Sequence, residues 1–231
     1  MPAVFAAPQL AGGQIAFTSA RTGDAEIYVV NTDGTGLKRL TEAVGEDTSP
    51  VWSPDGSRIA FVSERDGNQE VYVMAADGSG QKNLTHSPGE DAHPCWSPDG
   101  RRLAFATDRD GNTEIYVCAA DGSGATNISR HRGWDSEPVW SPVGDRLAYL
   151  TDRDGDQDII VCAPDGSGAV DVCRHEAWDG DPCFSMDGSL LAFRTHRDGN
   201  IGLYLCDLAS GKLSNLSQNQ VWNEEVDWCP D

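Results

Sequence analysis

Four polar residues at one fixed step are the first candidates for chemistry. His93, Glu137, Asp181 and Glu225 stand 44 residues apart, with Ser49 as the equivalent before them. Two positions upstream of each runs a second column, Asp47, Asp91, Asp135 and Asp179, with Asn223 in the last copy. A third column on the same step is Trp134, Trp178 and Trp222, replaced by Glu46 and Glu90 in the first two copies. Carboxylates and an imidazole gathered at one mouth could hold a cation or receive a basic segment of a partner. Aromatic residues beside them are the side chains that anchor protein interfaces. The first Asp column also has a structural reading, since Asp commonly caps loop amides. The second column keeps its polarity while changing residue type, which an asymmetric ligand requires. The expected binding set is therefore His93, Glu137, Asp181, Glu225, Trp134, Trp178 and Trp222, with Asp91, Asp135 and Asp179 beside them.

Other patterns carry less chemistry. The segments Asp108–Glu114 and Asp152–Asp158 resemble calcium loops, the second more than the first. An EF-hand loop needs acids at positions one, three and five and a bidentate acid at twelve. These segments are shorter and carry the glycine of a hairpin turn, so the expectation is no cofactor, with calcium as the alternative. Arg21, Arg65, Arg109, Arg153 and Arg197 recur beside the turn acids. Their expected role is an ion pair between blades or a backbone donor. The seven cysteines contain no CxxC pair and alternate in their columns with Val, Met, Ser and Thr. That usage is packing rather than catalysis, and free thiols favour a reducing compartment such as the cytoplasm. No GxSxG, P-loop or HExxH motif occurs, so no catalytic residue is nominated. The rival reading is a metal-dependent lyase or hydrolase using the channel acids and His93.

The charge bounds the partners. With 37 acidic against 17 basic residues, the net charge is −20. Nucleic-acid phosphates demand clustered Lys and Arg, so that class is excluded. No run approaches the roughly 20 apolar residues of a membrane helix. The expected partner is a protein or peptide, engaged by a monomer.

What must position these side chains is a repeat. Ile15-Ala-Phe17, Ile59-Ala-Phe61, Leu103-Ala-Phe105, Leu147-Ala-Tyr149 and Leu191-Ala-Phe193 keep the 44-residue step, as do Trp52, Trp96, Trp140, Phe184 and Trp228. Each unit reads as four short strands. The spacing predicts a first strand around Pro94–Ser97, a second over Arg102–Thr107, a third over Glu114–Cys118 and a weak fourth ending near Ser129. SPDG, RDGN and DGSG turns separate them, each supplying residues suited to tight turns. Four antiparallel strands at this period are the unit of a β-propeller. The expected fold is all-β: one domain over residues 1–231, with repeats beginning near 15, 59, 103, 147 and 191. The chain opens on a second strand and ends on a first strand, so a closing strand at 225–229 is expected to complete the fifth blade and close the ring.

The unit IAFxSxRDGNxEIYVMxADGSGxxxLTxxxxxDxxPxWSPDG resembles the TolB-type propeller repeat, a relative of the WD repeat. The resemblance covers about residues 14 to 231, and the copies at 59–100 and 103–144 match almost throughout. It implies a scaffold that binds proteins at its loop faces and channel mouth, and a periplasmic setting. Related propellers also occur attached to serine peptidases and in some lyases, so a domain of a larger peptidase or sensor is an alternative. Propellers of this type usually have six or more blades. Five copies therefore also admit a segment of a longer chain, or part of a six-bladed or larger ring.

Overall fold

A computed structural model describes residues 13–173 and 175–218. It contains five antiparallel sheets in chain order. The first holds β1 (Gln14–Ser19), β2 (Glu26–Asn31) and β3 (Lys38–Arg39). The second holds β4 (Asp47–Trp52), β5 (Arg58–Ser63), β6 (Glu70–Ala75) and β7 (Lys82–Asn83). The third holds β8 (Asp91–Trp96), β9 (Arg102–Thr107), β10 (Glu114–Ala119) and β11 (Thr126–Asn127). The fourth holds β12 (Asp135–Trp140), β13 (Leu147–Thr151), β14 (Asp158–Cys162) and β15 (Val170–Asp171). The fifth holds β16 (Asp179–Phe184), β17 (Leu190–Thr195), β18 (Gly202–Asp207) and β19 (Lys212–Asn215). The predicted second strand, Arg102–Thr107, is observed with those bounds, while the first begins three residues earlier than expected.

The second strands are apolar on both faces because each sheet is covered on both faces. Ile59, Leu103, Leu147 and Leu191 are fully buried, whereas Ile15 at the same position is 52% exposed. The difference follows from the neighbours. First strands β8, β12 and β16 pack against the preceding sheet and against one another, which places them innermost. The first sheet has no such strand among the described residues. The segment expected to supply it, 225–229, lies outside them, so closure of the ring is not part of the described structure.

Four apolar clusters fill the four seams between consecutive sheets. Trp96 and Trp140 cross their seams and donate Nε1–H to Val51 O and Cys95 O, both at 3.2 Å. Arg58 and Arg102 lie over these two indoles, 4.5 and 4.7 Å from the ring centroids. The sheet before Trp52 has no first strand among the described residues, and the buried Nε1 of Trp52 finds no partner among them. The DGSG turn presses on the preceding sheet: a Cβ at Gly166, whose φ is +84°, would lie 2.2 Å from Ile128 O. Only glycine tolerates both that φ and that approach.

Candidate functional site

The column His93, Glu137 and Asp181 sits on a β-bulge. In the third sheet Ala92 pairs with Ala106 and Cys95 with Ala104, so His93 and Pro94 oppose a single residue. The bulge recurs in the second, fourth and fifth sheets. Proline follows the column each time and has no N–H to give to the ladder. Ser49, His93, Glu137 and Asp181 take φ of 53°, 52°, 53° and 51°. Left-handed backbone at a residue other than glycine is uncommon, and a bulge re-aims the side chain that occupies it. The repeat thus holds one position per innermost strand in a fixed orientation and varies the side chain there.

The neighbouring Asp column does different work. Asp91, Asp135 and Asp179 are fully buried. Arg109 meets Asp91 at 3.1 Å, Arg153 meets Asp135 at 3.4 Å and Arg197 meets Asp179 at 3.3 Å. Both partners belong to one sheet, so the expected pair between blades is instead a latch within each sheet. It ties the start of the first strand to the turn after the second. The guanidinium also covers the aromatic pair of its own sheet, as Arg109 does over Tyr116 at 4.8 Å and Phe105 at 5.3 Å. Burial raises the carboxyl groups of Asp91 and Asp179, and the arginines partly offset this. These three aspartates therefore set the loop geometry and do not face solvent. The amide capping expected of them is done instead by Asp108 and Asp152, which accept from Glu90 N at 2.8 Å and Trp134 N at 2.6 Å.

The tryptophans separate in role. Trp134 is 38% exposed and lies at the seam between the third and fourth sheets. There a groove of about 180 Å³ brings it together with His93, Glu90, Asp108 and Thr113. Trp178 is half-buried within the fifth repeat. It packs edge-on to His196 at 5.4 Å and beneath Arg194 at 5.6 Å. Arg194 in turn pairs with Asp181. Trp222 and Glu225 lie outside the described residues. Sequence columns grouped residues by type, whereas the structure groups them by seam, so the contact of His93 with the Trp134 groove could not be read from either column alone.

A cavity of about 870 Å³ lies between the fourth and fifth sheets and is lined in part by Val161, Val172, Cys206, Leu208 and Leu213. Its origin is a turn. Ser210 stands where the other repeats have the glycine that touches the preceding sheet. A side chain there cannot approach so closely, and the β18–β19 hairpin turns at Leu208–Gly211 and leaves a gap.

Cys95, Cys118, Cys162, Cys173 and Cys206 are free thiols. Burial pushes Cys95 and Cys118 up to about 11 and Cys162 up to about 12, so they are unreactive packing groups. Among the described residues, no helix is long and apolar enough to cross a membrane.

The fold has many relatives. A TolB of Acinetobacter baumannii superimposes with a TM-score of 0.71 at 23% identity, over 89% of this chain and 53% of that one. A puromycin-hydrolyzing peptidase of Mycobacterium tuberculosis superimposes with a TM-score of 0.73 at 18% identity, over 92% of this chain and 37% of that one. At these identities the likeness is one of fold alone. A TolB homologue of Chlorobium luteolum is 44% identical over 45 residues, 20% of this chain and 10% of that protein. The chain thus spans about half the length of the TolB structure and a smaller share of the other two. The family model described as the TolB beta propeller domain matches residues 2–93 and 79–179, and the chain belongs to that family.

Proposed function

We propose that this protein is a non-catalytic binding scaffold that engages a protein or peptide through the face carrying the bulge column and the Trp134 groove. The observation that carries the reading is the bulge itself. Four innermost strands present Ser49, His93, Glu137 and Asp181 with one left-handed backbone geometry and four different side chains. Uniform presentation with varied chemistry suits an asymmetric partner. Trp134 adds an exposed aromatic anchor beside His93. Trp178 and Asp181 contribute through their contacts with Arg194, and Trp222 and Glu225 extend the same columns. Asp91, Asp135 and Asp179 hold the loops in place. A channel lyase or hydrolase would need acids open to a metal, and these three are committed to arginines.

The finer architecture is proposed on the same footing. Residues 225–229 supply the missing first strand of the first sheet and close a five-bladed ring. The three-stranded first sheet and the unpartnered Trp52 indole support this reading.

The test compares the wild-type chain with H93A/W134A/E137A in affinity capture from the native host. The expected result is a partner retained by the wild type and lost by the variant at an unchanged melting temperature. A variant that keeps the partner, or that unfolds, overturns the assignment of the face.

A further inference from the structure

The fourth repeat has exchanged hydrogen-bond donors for carboxylates at one place. In the second and third repeats a tyrosine hydroxyl donates to the turn aspartate, Tyr72 to Asp66 and Tyr116 to Asp110. Tyr204 does the same for Asp198 in the fifth. The fourth repeat has Ile160 at that position, which has no hydroxyl to give to Asp154. An asparagine also reaches this region: Asn83 donates to Asp66 at 2.9 Å, and Asn127 donates to Glu114. The fourth repeat has Asp171 instead. A threonine hydroxyl donates to the acid that opens the third strand, Thr41 to Glu26 and Thr85 to Glu70. Cys173 takes its place in the fourth. Finally, Asn68 and Asn112 tie the turn to the next loop through their amide N–H groups, while Asp156 has none to give.

The outcome is a carboxylate cluster in which Asp171 accepts from Cys173 N at 2.9 Å while Asp158 is left short of a donor. Asp154, Asp158 and Asp171 each bring one oxygen within 4.8 Å of the others. Asp158 is only 3% exposed, and its Oδ1 is buried without a hydrogen-bond partner among the described residues. The half-buried Asp156 likewise has an unpartnered buried Oδ2. The four aspartates line a cleft of about 500 Å³ with His175 and Glu176 on its rim. A buried carboxylate with no donor costs several kcal/mol unless a cation joins it.

We infer that the fourth repeat carries a calcium site, with Asp154, Asp158 and Asp171 as direct ligands and Asp156 completing the oxygen shell. The donor set is all carboxylate, which selects hard cations over zinc or copper. Several carboxylates converging on one point suit calcium, which takes about six to eight oxygen ligands, better than magnesium, which keeps most of its waters. This site is separate from the partner face and does not depend on that reading. The sequence segment Asp152–Asp158 hints at it, but the ligand that completes the cluster, Asp171, comes from a different strand.

The test is calorimetric titration of the chelator-treated full chain with calcium chloride, repeated with magnesium chloride. One saturable calcium site is expected, at least tenfold tighter than magnesium, with a rise in melting temperature. D154N, at an exposed position, should weaken calcium at least tenfold. I160Y/D171N restores the donor pattern of the second, third and fifth repeats, so it should fold and abolish calcium binding. Absence of calcium heat up to millimolar concentration, equal magnesium affinity, or calcium binding that survives D154N overturns the inference.

Discussion

Asp158, buried at the start of β14, stands with a carboxylate oxygen within 4.8 Å of one on Asp171 at the end of β15. In the third repeat the same pair of positions is Glu114 and Asn127, joined by a hydrogen bond. One change from amide to acid turns an attraction into a repulsion. In metal-free protein D171N should therefore be stabilising by about 1 kcal/mol, which for a domain of this size raises the melting temperature by about 2–4 °C. Thermal unfolding in chelator checks this, and an unchanged or lowered midpoint contradicts it.

The Arg–Asp latches should be costly to break. Asp91 is fully buried against Arg109, whose side chain is 18% exposed. R109Q leaves the buried carboxylate without its cation and should cost about 3–5 kcal/mol. Urea denaturation at neutral pH measures the loss. A cost below about 1 kcal/mol would place this pair with ordinary surface ion pairs.

The seam tryptophans offer a test of ring closure. W96F removes the 3.2 Å bond to Val51 O and should cost about 1 kcal/mol. If residues 225–229 supply the first sheet with its inner strand, W52F should cost a similar amount in the full chain. Deleting residues 219–231 should then abolish the extra cost of W52F while leaving that of W96F. Paired denaturation curves decide it, and a W52F penalty indifferent to the deletion contradicts closure by that segment.

Alkaline stability follows from the tyrosines. Burial and, for two of them, a turn aspartate push Tyr72, Tyr116 and Tyr149 up to about 12. In the unfolded chain these phenols ionise near the ordinary value of about 10. Between those values the folded state holds protons that the unfolded state has released, so stability must fall as pH rises from 10 to 12. Below pH 10 these groups contribute no pH dependence. Phenolate absorbance at 295 nm, read beside urea curves at pH 9, 10 and 11, tests the window. Native tyrosines that all titrate near 10 would contradict it.

Much of the architecture was legible because a 44-residue step repeats both the apolar strands and the turn residues that separate them. Strand content, sheet order and the fully buried Ile59-Ala60-Phe61 type of triplet follow from that pattern, since a sheet covered on both faces needs no polar alternation. The candidate site was legible only as columns. Column membership could not show that Asp91 is sealed against Arg109 while His93, two residues on, is turned outward by a bulge.

By itself the sequence determined the repeat, the strand edges to within a few residues, the family and the varied polar column. These are local properties, written in spacing and turn chemistry. Only the tertiary structure decided which residues meet. It paired each Asp with the Arg of its own sheet and set Trp134 over the seam beside His93. It also brought Asp171 to Asp158, 13 residues away along the chain. The reason is physical: a sheet juxtaposes residues by register and a seam juxtaposes them by packing, and neither distance is proportional to separation in sequence.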